Sequence, residues 1–84
     1  MARQKKLPPI PVTPELAAHR MLGVWRMSRI SDAKLADYII GEIAMIGTAD
    51  LPDTQYVIEQ LRTWRANPMI PNGQLARNIV GTHR

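Results

Sequence analysis

The chain has 84 residues and a mass of 9.5 kDa, room for one small domain and no second core, since domains typically run to ~100–150 residues. It contains no cysteine and two histidines, which excludes a disulfide scaffold, a thiol nucleophile and a cysteine-ligated metal, and points to a reducing compartment. The net charge of +4 conceals a segregation. Residues 1–30 set six Lys or Arg against Glu15; residues 31–59 set Lys34 against six acids; residues 60–84 carry four arginines and no acid. The result is an acidic middle between basic ends.

The longest nearly apolar run, Tyr38 to Gly47, is interrupted by Glu42 and falls far short of the ~20 residues a membrane-spanning helix needs. Pro8, Pro9 and Pro11 stand where a secretory signal would need an unbroken apolar helix. The expectation is a cytoplasmic protein with no membrane association.

Residues 1–13 (MARQKKLPPIPVT) read as a basic, proline-rich arm of polyproline-like geometry, because each proline lacks an amide hydrogen and drives its predecessor toward extended conformations. The first helix is predicted from Pro14 to Arg29. Thr13 can cap it, Pro14 suits its first turn, and Ala18, Met21, Leu22, Trp25 and Ser28 recur at helical spacing. A second helix is predicted from Ser31 or Asp32 to Ile46, with Ala36, Ile39, Ile40, Ile43 and Ile46 on its buried face and Gly47 as its C-terminal cap. The third is predicted from a cap at Asp50 to Ala66, with a stripe of Val57, Ile58, Leu61 and Trp64, and stops at Asn67-Pro68.

The last segment holds Pro68, Pro71 and an Asn72-Gly73 turn signal before Leu75, Ala76, Ile79 and Val80, enough for one or two amphipathic turns. It is expected to pack back over the core or to dock on a partner. The predicted fold is therefore all-α: a three-helix bundle over residues 14–66, with a C-terminal arm and short fourth helical segment over 67–84. No internal repeat is expected, since the helices share only generic amphipathic spacing.

Two segments echo one another, Trp25-Arg26-Met27-Ser28-Arg29 and Arg62-Thr63-Trp64-Arg65. In a short-looped bundle the ends of the first and third helices meet at one pole, gathering Arg26, Arg29, Arg62 and Arg65. Together with Lys5, Lys6, Trp25 and Trp64, they are the candidate binding residues. Arginines there can grip phosphates or acidic protein surfaces, and an exposed tryptophan edge can stack on a base. They can equally complement the negative ends of helices, with Asp32 and Asp37 nearby as partners and the tryptophans in the core.

Catalytic signals are missing. The two histidines, His19 and His83, form no metal pair or triad, no glycine-rich phosphate loop is present, and Asp37 and Glu42 are five residues apart, off a shared helix face. No enzyme activity, cofactor or metal is expected. A helix-turn-helix reader of DNA fits poorly, because the turn GTADLP is long and the third helix opens with Asp50 and Asp53.

The residues point to a non-catalytic protein-binding module, an accessory, adaptor or inhibitor subunit that docks on a larger protein or complex. Arm residues Leu7, Ile10, Val12, Met69 and Ile70 would add contact area. The alternative is a small DNA- or RNA-binding regulator using the arginine pole. Apolar surface left on the second helix and the tail also allows a homodimer.

Overall fold

The computed structural model of the protein describes residues 12–47 and 50–80, which form four helices: α1 (Pro14–Trp25), α2 (Asp32–Ile46), α3 (Thr54–Trp64) and α4 (Asn72–Val80). No strand occurs among the described residues. Helices α1, α2 and α3 each begin where a short polar side chain accepts from an otherwise unpartnered amide of the first turn. Thr13 Oγ1 accepts from Leu16 N at 3.1 Å, Ser31 Oγ from Lys34 N at 3.1 Å, and Asp53 Oδ2 from Tyr56 N at 3.1 Å. The cap of α3 is thus Asp53 rather than the expected Asp50. Pro52 excludes the residue before it from helical geometry, and the chain is still extended at Asp53 (φ −68°, ψ 133°).

Helix α1 stops at Trp25, short of the expected Arg29. Both the amide and the hydroxyl of Ser28 donate to the Trp25 carbonyl, at 3.0 and 2.8 Å, and turn the chain out of the helix. Helix α2 ends as its sequence predicts, with Gly47 at φ 89°, a conformation that costs a side-chain-bearing residue far more than glycine.

The core comprises Ala17, Ala18 and Leu22 of α1; Leu35, Ala36, Ile39 and Ile43 of α2; Val57 and Leu61 of α3; and Leu75, Ala76 and Ile79 of α4. Leu75, Ala76 and Ile79 are 0% exposed. The fourth helical segment thus packs back over the core, as expected, and α4 forms one wall of it. It packs on α1 and α3, while α2 packs on the same two helices from the other side. Four helices close a ring around one shared core. Ile70, expected in the arm, also packs against this core.

The ring exposes a repeat that the spacing of apolar residues had concealed. Leu22, Trp25 and Arg26 correspond to Leu61, Trp64 and Arg65, 39 positions later. Past a one-residue insertion, Ile30, Asp32, Leu35, Ala36 and Ile39 correspond to Ile70, Asn72, Leu75, Ala76 and Ile79. The buried members correspond across the halves: Ala18 with Val57, Leu22 with Leu61, Leu35 with Leu75, Ala36 with Ala76 and Ile39 with Ile79. The fold is two helical hairpins, α1–α2 and α3–α4, packed face to face. The expectation of no internal repeat is corrected accordingly. The insertion and the different residues on the outer faces dilute the match when the sequence is read alone.

Candidate functional site at the arginine pole

The two hairpins meet where α1 and α3 end. A helix end leaves backbone carbonyls without internal partners and carries the negative end of the helix dipole. In this protein each end is closed by the arginine of the other. Arg26 Nε donates to the Arg65 carbonyl at 2.9 Å, and its Nη2 donates to the carbonyls of Asn67 at 2.8 Å and Trp64 at 3.3 Å. Reciprocally, Arg65 Nε donates to the Arg26 carbonyl at 2.8 Å, and its Nη2 to the carbonyls of Ser28 at 2.9 Å and Trp25 at 3.3 Å.

The remaining contacts obey the same symmetry. Arg26 Nη1 donates to Asn72 Oδ1 at 2.9 Å, and Arg65 Nη1 to Asp32 Oδ1 at 2.9 Å. Asn72 and Asp32 are the first residues of α4 and α2, so each guanidinium ties the end of one helix to the start of another. Guanidinium geometry suits this task, because a planar fork reaches several acceptors whereas an ammonium is a point donor. The arrangement is that of an isologous contact, residue i on j and j on i, realised within one chain.

This geometry decides what the candidate residues do. Arg26 and Arg65 do converge at one pole, as their place at the helix ends predicts. Each commits four of its five N–H groups to internal acceptors. Arg26 is 9% exposed, and the Arg65 side chain 12%. Their donors close helix ends, the second of the two arrangements that the sequence allows. Trp25 and Trp64 are half-buried against the core, and Trp25 meets Tyr38 edge-on with ring centroids 5.4 Å apart. Their carbonyls serve as acceptors for the clasp. Arg29 and Arg62 are exposed and have no carboxylate partner among the described residues. Lys5 and Lys6 lie outside the described residues.

Asp32 was legible as an arginine partner from its position at the same pole. Asn67 and Asn72 were not, and the available signal was the alignment of Asn72 with Asp32 in the repeat. No side-chain polar atom buried among the described residues lacks a partner, so the clasp is internally complete.

Around it the surface holds two hollows of mixed polar and apolar lining. A hollow of about 380 Å³ is lined by apolar residues, among them Met27, Ala66 and Ile70, and by the clasp residues Arg26, Arg65, Asn67 and Asn72. A second, of about 300 Å³, shares Met27 and Ala66 and includes Arg62. Met27 is 86% exposed and Met69, between two residues lining the first hollow, is 82% exposed. Among the described residues no group of three His, Cys, Asp or Glu side chains is placed to hold a metal, and no helix is long and apolar enough to cross a membrane.

No protein-family model, curated protein or solved structure matches the chain.

Proposed function

We propose that the protein is a non-catalytic protein-binding module, a small accessory, adaptor or inhibitor subunit that docks on a larger protein assembly. The observation that carries this reading is the contrast between a closed core and the methionines left outside it. Leu22, Leu35, Ile39, Leu61, Leu75 and Ile79 are at most 1% exposed, so the fold completes its interior without Met27 and Met69. Both sit in the connectors between helices, whose carbonyls the two arginines pin. Exposed apolar groups scattered singly are ordinary, but Met27 lines the first hollow and Met69 stands between two of its lining residues, and apolar groups beside a concave surface support a contact site there.

Nucleic-acid binding is the weaker reading, because the clasp withdraws Arg26 and Arg65 from any phosphate. Arg29 and Arg62 then remain at the pole, a small electrostatic footprint against the several phosphate contacts that usually drive such binding.

The test is retention of partners from cell lysate by the full chain, with one half of the sample treated with nuclease. A defined protein retained after treatment supports the reading. Material lost entirely on treatment, with nucleic acid recovered from the untreated half, refutes it.

A further inference from the structure

We infer that the arginine pole binds an acidic amphipathic segment of a partner protein, its apolar side chains entering the hollows beside Met27 and its carboxylates meeting Arg29 and Arg62. The inference rests on the protein-binding reading and gives that reading a place and a chemistry.

Three observations meet at this surface. The first is shape: the two adjoining hollows share Arg26, Met27, Arg65 and Ala66 and are walled by connectors whose carbonyls, those of Trp25, Arg26, Ser28, Trp64, Arg65 and Asn67, are all bonded to guanidinium groups. A surface held in this way loses little conformational entropy when it binds. The second is apolarity: Met27 and Met69 project from the two connectors, and Val24, one turn before Met27, is 64% exposed. Methionine adapts its unbranched side chain to whatever apolar group arrives.

The third is charge. Helix C-termini are ordinarily negative, which would repel an acidic partner. Here the guanidinium groups of Arg26 and Arg65 sit on those carbonyls, and the one carboxylate in the clasp, Asp32, is occupied by Arg65 at 2.9 Å. Four arginines against one aspartate leave the pole positive, and two of the four, Arg29 and Arg62, are exposed. The exposed acid Asp37 lines neither hollow, and the acid that does line one is Asp32. Guanidinium groups beside the apolar surface of Met27, Ala66 and Ile70 together select a partner segment with Leu, Ile or Met on one face and Asp or Glu beside it.

The test uses the full chain, ¹⁵N-labelled, titrated with a capped peptide of about 15 residues that carries Leu at i, i+3, i+4 and i+7 spacing and Glu elsewhere. Two controls run alongside: the same peptide with Lys for Glu, and a short DNA duplex. Binding of the Glu peptide is expected to shift the amides of Met27, Ala66 and Ile70. Replacing both methionines (Met27→Ser with Met69→Ser), or reversing Arg62→Glu, is expected to weaken it at least ~10-fold, while Met45→Ser on α2 changes it less than ~2-fold. Variants are compared only where the unbound amide spectrum keeps the dispersion of the parent.

Equal binding of the Lys peptide, or no binding of the Glu peptide, overturns the inference. Shifts confined to α2 with no effect at Met27 and Met69 remove the pole as the site while leaving a protein-binding module in place. Binding of the duplex alone sinks both the inference and the reading it rests on.

Discussion

The reciprocal clasp predicts that Arg26→Ala is among the most destabilising single changes in the protein although it removes no apolar core side chain. Arg26 makes three bonds at 2.8–2.9 Å and one at 3.3 Å, all to neutral oxygens. A hydrogen bond from a charged donor contributes roughly 1.5–3 kcal/mol net, and water can reach part of this site once the side chain is gone, so about 1 kcal/mol for each short bond is a conservative value. The expected loss is about 3 kcal/mol, against a total stability of roughly 5–10 kcal/mol for a domain of this size. In thermal unfolding followed by circular dichroism this corresponds to a fall in Tm of about 12–24 °C.

Arg26→Lys should recover only about a third of the loss, because an ammonium cannot span acceptors on α3, its connector and α4 together. The double variant Arg26→Ala with Arg65→Ala should cost about 1–2 kcal/mol less than the sum of the singles. Each guanidinium holds the helix ends in the register that the other needs, so once one is lost the second has less to lose. A fall in Tm below about 4 °C for Arg26→Ala, or a lysine variant as stable as the parent, would refute the reasoning.

Other consequences of the fold can be measured in the same way. Asp32→Asn should cost under about 1 kcal/mol in urea unfolding, since Asn72 fills the equivalent place for Arg26 with a neutral oxygen at the same 2.9 Å; a loss as large as that of Arg26→Ala would show that the charge, not the acceptor, matters. Leu75→Ala should cost about 3–4 kcal/mol and match Leu22→Ala to within about 1 kcal/mol, because both leave cavities in one shared core. A change below about 1 kcal/mol would return α4 to the status of a loosely docked arm. Gly41 lies exposed within α2 with nothing within 4 Å of where a Cβ would sit, so Gly41→Ala should raise stability by about 0.5–1 kcal/mol. Gly47→Ala should lower it by about 1 kcal/mol, its φ of 89° being strained for alanine; equal effects at the two glycines would contradict the helix-cap assignment.

Local chemistry was sufficient for the elements themselves. Thr13-Pro14, Ser31-Asp32 and Gly47 act through the backbone within a few residues, so the ends they govern were readable one at a time. The apolar stripes of α1, α2 and α3 followed from helical period, though Leu35 was absent from the expected face of α2 and proves to be 0% exposed. That the helices are amphipathic, and that the protein is all-α, needed no knowledge of how they pack.

The tertiary structure alone decided which partners close the core and what the arginines do. Residues 67–80 look too short and too punctuated by Pro68 and Pro71 to matter on their own, because an isolated nine-residue helix such as α4 cannot repay its nucleation cost. Its stability comes from burial against α1 and α3, a non-local term that no window of sequence contains. The same holds at the pole. Arg26 and Arg65 are 39 residues apart, and in sequence each is a basic residue near a helix end, compatible with solvent, phosphate or protein. Only the apposition of two helix ends supplies the carbonyls that occupy them.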